Sequence, residues 1–107
     1  MRLTSKQIND IQTAALEVFS PAVNVRLFGS RLDDQRRGGD IDLLIEPSYK
    51  LDAKELVEKR SRFIAMLYRL IGEQHIDVLI AQADAKDDRA VVTKARKLGQ
   101  FILKGIA

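Results

Sequence analysis

The sequence predicts an α/β (α+β) fold in which helices pack on a small mixed β-sheet, and three observations predict it. Helical and alternating apolar periodicities follow one another in the order helix, strand, strand, helix, strand, helix. Two nearly identical apolar pentapeptides, Ile41 to Ile45 and Ile76 to Ile80, read as strands separated by a segment long enough for a crossover helix. A length of 107 residues suits one compact domain, residues 1–107.

Each element has its own local reason. From Thr4 to Phe19, residues Ile8, Ile11, Ala15, Leu16 and Phe19 recur at helical spacing, and Thr4 with Gln7 fits a capping box. Ser20-Pro21 stops that helix. Val23, Val25 and Leu27 then alternate with more polar positions in a strand that ends at Gly29. Arg31 to Gly39 is polar and closes on two glycines, so it reads as a loop. So short a connection makes the strand Ile41 to Ile45, ended by Pro47, an antiparallel neighbour of the first.

Asp52 and Glu55 form a second capping signature, and Leu56, Phe63, Leu67, Leu70 and Ile71 carry a helical stripe to Gly72. Ile76 to Ala81 is a third strand. Asp87 to Lys104 reads as a last helix, with Val91, Ala95, Leu98 and Ile102 on one face.

Composition narrows the chemistry. The net charge is +3, from 18 lysines and arginines against 15 aspartates and glutamates, and no long basic block accompanies it. Nucleic acid is therefore not the expected partner. No cysteine is present, which excludes disulfides and thiolate metal sites. No apolar run approaches the roughly 20 residues of a membrane helix and no signal-peptide core follows Met1, so a cytoplasmic location without membrane contact is expected.

The two pentapeptides each place an acid second. If the strands run parallel, Asp42 lies beside Asp77, and Asp40, two residues before Asp42, shares its face. Like charges about 5 Å apart repel by roughly 3 kcal/mol per pair even at an effective dielectric near 20. Folding alone does not ask for that arrangement. A hard divalent cation turns the repulsion into ligation, and carboxylate oxygens point to Mg²⁺ or Mn²⁺ rather than Zn²⁺. Upstream, Phe28-Gly29-Ser30-Arg31 ends a strand in a turn suited to phosphate: glycine permits close backbone approach, the Ser30 hydroxyl donates, and Arg31 supplies a bidentate cation.

Gly29-Ser30, nine intervening residues, Asp40-Ile41-Asp42, and Asp77 on a later strand together resemble the signature of the DNA polymerase β-like nucleotidyltransferase superfamily. Within it the chain is similar to the minimal nucleotidyltransferases of the MntA-like antitoxin type, usually encoded beside a HEPN-domain toxin. The resemblance implies that Gly29 and Ser30 grip the triphosphate of ATP and that Arg31 is the basic residue following the serine. It implies that Asp40, Asp42 and Asp77 are the metal-binding catalytic acids. The chain departs from the family pattern at Asp33, where many relatives carry arginine, and at Gly39, where many carry serine.

The resulting expectation is transfer of AMP from ATP, with Mg²⁺ or Mn²⁺, to a tyrosine hydroxyl of a partner HEPN toxin, making the chain the antitoxin of a type VII toxin-antitoxin pair. The core elements take up almost all of the sequence, so the acceptor is expected to bring its own docking surface, in a homo- or hetero-oligomer. Two other readings stand beside it. One is a non-catalytic antitoxin that occludes its partner. The other is a nucleotidyltransferase acting on a small molecule or RNA with a separate substrate-binding subunit. Arg36-Arg37 either orients a nucleotide or solvates the loop. His75, the single histidine, reads as the start of a strand rather than a catalytic group, Tyr49 and Tyr68 as packing residues, and Glu58 to Arg62 as the wet face of a helix.

Overall fold

A computed structural model describes residues 3–29 and 40–105. Helix α1 (Ser5–Phe19) starts on a reciprocal capping box: the Thr4 hydroxyl accepts from the Gln7 backbone N–H, and the Gln7 side chain accepts from the Thr4 N–H. Strand β1 (Val23–Phe28) follows, then β2 (Ile41–Pro47), helix α2 (Ala53–Ile71), β3 (Ile76–Ile80), α3 (Ala90–Leu98) and β4 (Gln100–Leu103). Asp52 caps α2 by accepting from the Glu55 N–H, and Gly72 ends it at a φ of 95° that L side chains rarely adopt.

The strands form one mixed sheet in the order β3-β2-β1-β4. β1 is antiparallel to both β2 and β4, while β2 and β3 are parallel, as the crossover through α2 requires. Strand alternation sorts the sheet into two faces. Val23, Val25 and Leu27 of β1, Ile41, Leu43 and Ile45 of β2, and Ile76, Val78 and Ile80 of β3 pack against α1 and α2 around Ile11, Phe19, Phe63 and Leu67. Phe19 and Phe63 meet edge to face with ring centroids 5.7 Å apart. Each fully buried side chain of this size contributes about 1.5–3 kcal/mol. On the opposite face Leu44 and Ala81 pack against Val92 and Ala95 of α3.

The second face also buries a charge. Glu46 is almost fully enclosed and accepts from Arg26 Nε at 2.6 Å and from Arg96 Nε at 2.9 Å. Both of its oxygens are thereby satisfied by cations, which is the condition for burying a carboxylate. Arg26 in turn lies 4.2 Å from the ring centroid of Phe101, so β1, β2, α3 and β4 meet around one ion group.

Several local expectations are corrected. The last helix does not run to Lys104: it ends at Leu98, and Gln100–Leu103 pairs with β1 as a fourth strand. Gly99, the C-cap, is extended, and only glycine fits there, because a Cβ would lie 2.3 Å from the Ala95 carbonyl oxygen and 3.2 Å from that of Leu27. The buried residues of α3 are Val92 and Ala95, with Val91 and Leu98 exposed. On α1, Ala14 and Val18 are buried while Leu16 is exposed. The stretch from Glu58 to Arg62 is not uniformly wet: Lys59 donates to the Val18 carbonyl and Arg60 to that of Val78, tying α2 to α1 and to β3. Tyr49 packs as expected, its hydroxyl donating to the Phe19 carbonyl, whereas Tyr68 is exposed. Among the described residues no helix is long and apolar enough to cross a membrane.

Candidate functional site

The strand directions bring the end of β1 and the starts of β2 and β3 to one edge of the sheet. There the tripeptides Asp40-Ile41-Asp42 and His75-Ile76-Asp77 lie side by side in register. Ile41 pairs with Ile76 and Asp42 with Asp77, and the Ile41 N–H donates to the His75 carbonyl at 3.0 Å. Both isoleucines are buried under the helices, so strand alternation turns Asp42 and Asp77 to the other face. The expected convergence of Asp40, Asp42 and Asp77 is therefore present, and His75 joins it. His75 Nδ1 lies 2.7 Å from Asp40 Oδ1, and its Nε2 lies 4.0 Å from Asp77 Oδ1. Asp40, His75 and Asp77 each offer a ligand atom, all within 4.8 Å of one another.

Electrostatics follow from this crowding. The Asp42 carboxyl is pushed up to about 6, first by burial, then by the charges of Asp77 and Asp40 and by a side-chain hydrogen bond with Asp77; His75 opposes the shift. The His75 imidazole is raised above its ordinary value of 6.5, chiefly by its hydrogen bond to Asp40 and then by the negative charges of Asp40 and Asp77. Two neighbouring carboxyl groups, with a third acid and an imidazole beside them, form a site where added positive charge is favoured.

Gly29 closes one side. Its φ is +77°, and a Cβ at this position would lie 2.2 Å from Asp42 Oδ2 and 3.0 Å from Asp42 Cγ. The absent side chain is what lets the Gly29 backbone at the end of β1 lie against the acid. Ser30 and Arg31, expected to complete the phosphate grip, lie outside the described residues, as do Asp33, Arg36, Arg37 and Gly39. An open cleft of about 450 Å³ bordered by Tyr68, Glu73, Gln74 and His75 adjoins the acids through the histidine.

The donor set fits a divalent cation. Asp40 and Asp77 bring carboxylate oxygens from two neighbouring strands to one place, all donors lying within 4.8 Å of one another, and the imidazole adds a nitrogen that Mn²⁺ accepts. In sequence His75 reads only as the start of a strand; the signal for a place in this cluster is its position two residues before Asp77, as Asp40 stands two before Asp42. Neither protein-family models nor curated proteins yield a match to this chain.

Proposed function

We propose that this chain is a metal-dependent nucleotidyltransferase that moves AMP from ATP to a tyrosine hydroxyl of a HEPN-domain partner, acting as an antitoxin. The observation that carries the reading is the register pair Asp42 and Asp77, with Asp40 beside it, set against a backbone position, Gly29, that only glycine fits. The resemblance of Gly29-Ser30 and Asp40-Ile41-Asp42 to the nucleotidyltransferase signature supplies the reaction and the partner.

A divalent ion held by Asp40, Asp42 and Asp77 would neutralise phosphate charge and lower the pKa of the acceptor hydroxyl. The chain's own residues position the reactants. Gly29 lets the turn backbone approach the phosphates beside Asp42, and Ser30 and Arg31 hold the leaving pyrophosphate. The acceptor oxygen forms a bond to the α-phosphorus as the bond from that phosphorus to the bridging oxygen of the β-phosphate breaks. The hydroxyl proton passes to a carboxylate of the site or to solvent. Positioning and charge neutralisation suffice, and no covalent bond to the protein forms.

The test is incubation with ATP labelled at the α-phosphate, a divalent ion and the neighbouring gene's product. Label on the partner, lost in Asp42→Asn, supports the proposal. Inhibition of the partner without label identifies an occluding antitoxin, and label on added RNA or an aminoglycoside identifies a different acceptor; either result overturns the reading.

A further inference from the structure

We propose that His75 is a metal ligand through Nε2, held in place by Asp40, and that this nitrogen makes the site select Mn²⁺ over Mg²⁺. The inference rests on the nucleotidyltransferase reading only for the presence of an ion at these acids; the choice of ion comes from the imidazole.

The geometry supports a ligand role. Nδ1 is engaged by Asp40 Oδ1 at 2.7 Å, which leaves Nε2 as the ring atom turned toward Asp77 Oδ1 at 4.0 Å. Two donors each about 2.1 Å from one octahedral ion are separated by about 3 Å at right angles and by about 4.2 Å when opposed. The observed 4.0 Å lies between those two values, so a small rotation of the two exposed side chains, with neither strand moving, brings Nε2 and Asp77 onto one ion. A hydrogen bond from Nδ1–H to a carboxylate is the arrangement that fixes a ligating histidine's tautomer and ring orientation and raises its basicity. Asp40 has a second oxygen, so orienting His75 does not remove it from the ion.

The position is built by the fold. His75 immediately precedes β3, its carbonyl is fixed by the Ile41 N–H, and the parallel register sets it beside Asp40. The side chain is 69% exposed, so it contributes little to the core and its substitution leaves the sheet intact. Mg²⁺ prefers oxygen ligands and retains its water, whereas imidazole nitrogen suits transition dications, and affinity at mixed sites rises from Mn²⁺ onward in the first-row series. Replacing Asp40 or Asp77 would weaken both ions. Replacing His75 should weaken one.

Calorimetric titration with Mn²⁺ and with Mg²⁺ tests this on wild type, His75→Ala and His75→Gln, together with electron spin echo spectroscopy of bound Mn²⁺. We expect wild type to bind Mn²⁺ on the order of tenfold more tightly than Mg²⁺, and both variants to lose about that factor for Mn²⁺ while changing Mg²⁺ affinity less than about twofold. Echo modulation from a coordinated nitrogen should be present in wild type and absent in both variants. Equal weakening of the two ions, unchanged Mn²⁺ affinity, or no nitrogen modulation in wild type overturns the inference. The two readings separate cleanly: nitrogen-ligated Mn²⁺ without AMP transfer sinks the enzyme and leaves the ligand, and AMP transfer without nitrogen modulation does the reverse.

Discussion

Asp42 and Asp77 are direct register partners on two parallel strands, so their carboxyl groups stand side by side at the edge of the sheet and the negative charge of Asp77 raises the pKa of Asp42. Burial and the neighbouring acids push Asp42 up to about 6. This is an energetic cost of the fold, and it makes the site measurable without any assay of turnover.

Asp42→Asn should stabilise the protein while abolishing transfer. The folded value lies above the ordinary 3.8, so the carboxylate penalty is complete above about pH 6 and disappears as the pH falls toward 4. A shift of that size corresponds at most to about 3 kcal/mol; because the group is partly exposed and screened by solvent, about 1 kcal/mol is expected. Urea denaturation at neutral pH should show the gain, and the two proteins should converge near pH 4. A variant less stable than wild type at neutral pH would contradict the electrostatic account.

The single histidine reports on Asp40. Its imidazole is raised above 6.5 chiefly by the hydrogen bond to that acid, so in metal-free protein the ring should titrate above 6.5 by NMR and fall back toward it in Asp40→Asn. The stabilisation that accompanies the raised value is present in acid and is lost as the pH rises through the folded value. An unchanged titration in Asp40→Asn would mean that the two side chains do not pair in solution.

Gly29→Ala should damage both fold and site. The left-handed backbone costs a non-glycine residue about 1–3 kcal/mol, and the new methyl would collide with Asp42 Oδ2. Thermal unfolding should show the loss, and ion affinity should fall with it. Stability and ion binding equal to wild type would remove Gly29 from the site.

Glu46 provides a contrast, being a structural carboxylate four residues further along β2 from Asp42 and paired with two arginines. Glu46→Ala leaves Arg26 and Arg96 without their shared carboxylate and should cost about 3–5 kcal/mol, measured by urea denaturation. Glu46→Gln keeps one acceptor oxygen and the side-chain volume, and should cost less than the alanine variant. If Glu46→Ala is nearly neutral, the buried ion group does not hold β1, β2, α3 and β4 together.

Most of this architecture is readable from residue order because the strands announce their faces. The repeated isoleucines at 41, 45, 76 and 80 fix which residues are buried, and the acids at 42 and 77 then have one remaining direction. The fourth strand is hidden because Leu98 and Ile102 stand at helical spacing; what makes 100–103 a strand is its pairing with β1, a tertiary fact with no local pattern. Val91 and Val92 show the same limit, since adjacent valines leave the buried face of a short helix to be decided by packing. His75 is legible only once two strands are aligned. Taken alone it is one exposed histidine, and beside Asp40 it becomes part of a donor set.

If Asp40, Asp42 and Asp77 gather a divalent ion, thermal unfolding with and without Mn²⁺ shows it without any assay of turnover. A ligand at about one hundred times its dissociation constant stabilises the state that binds it by about 2.7 kcal/mol. Wild type should therefore melt several degrees higher with saturating Mn²⁺, and the Asp42→Asn, Asp77→Asn double variant should not respond. A wild-type melting temperature unmoved by Mn²⁺ and Mg²⁺, or an equal rise in the double variant, would contradict ion binding at these acids.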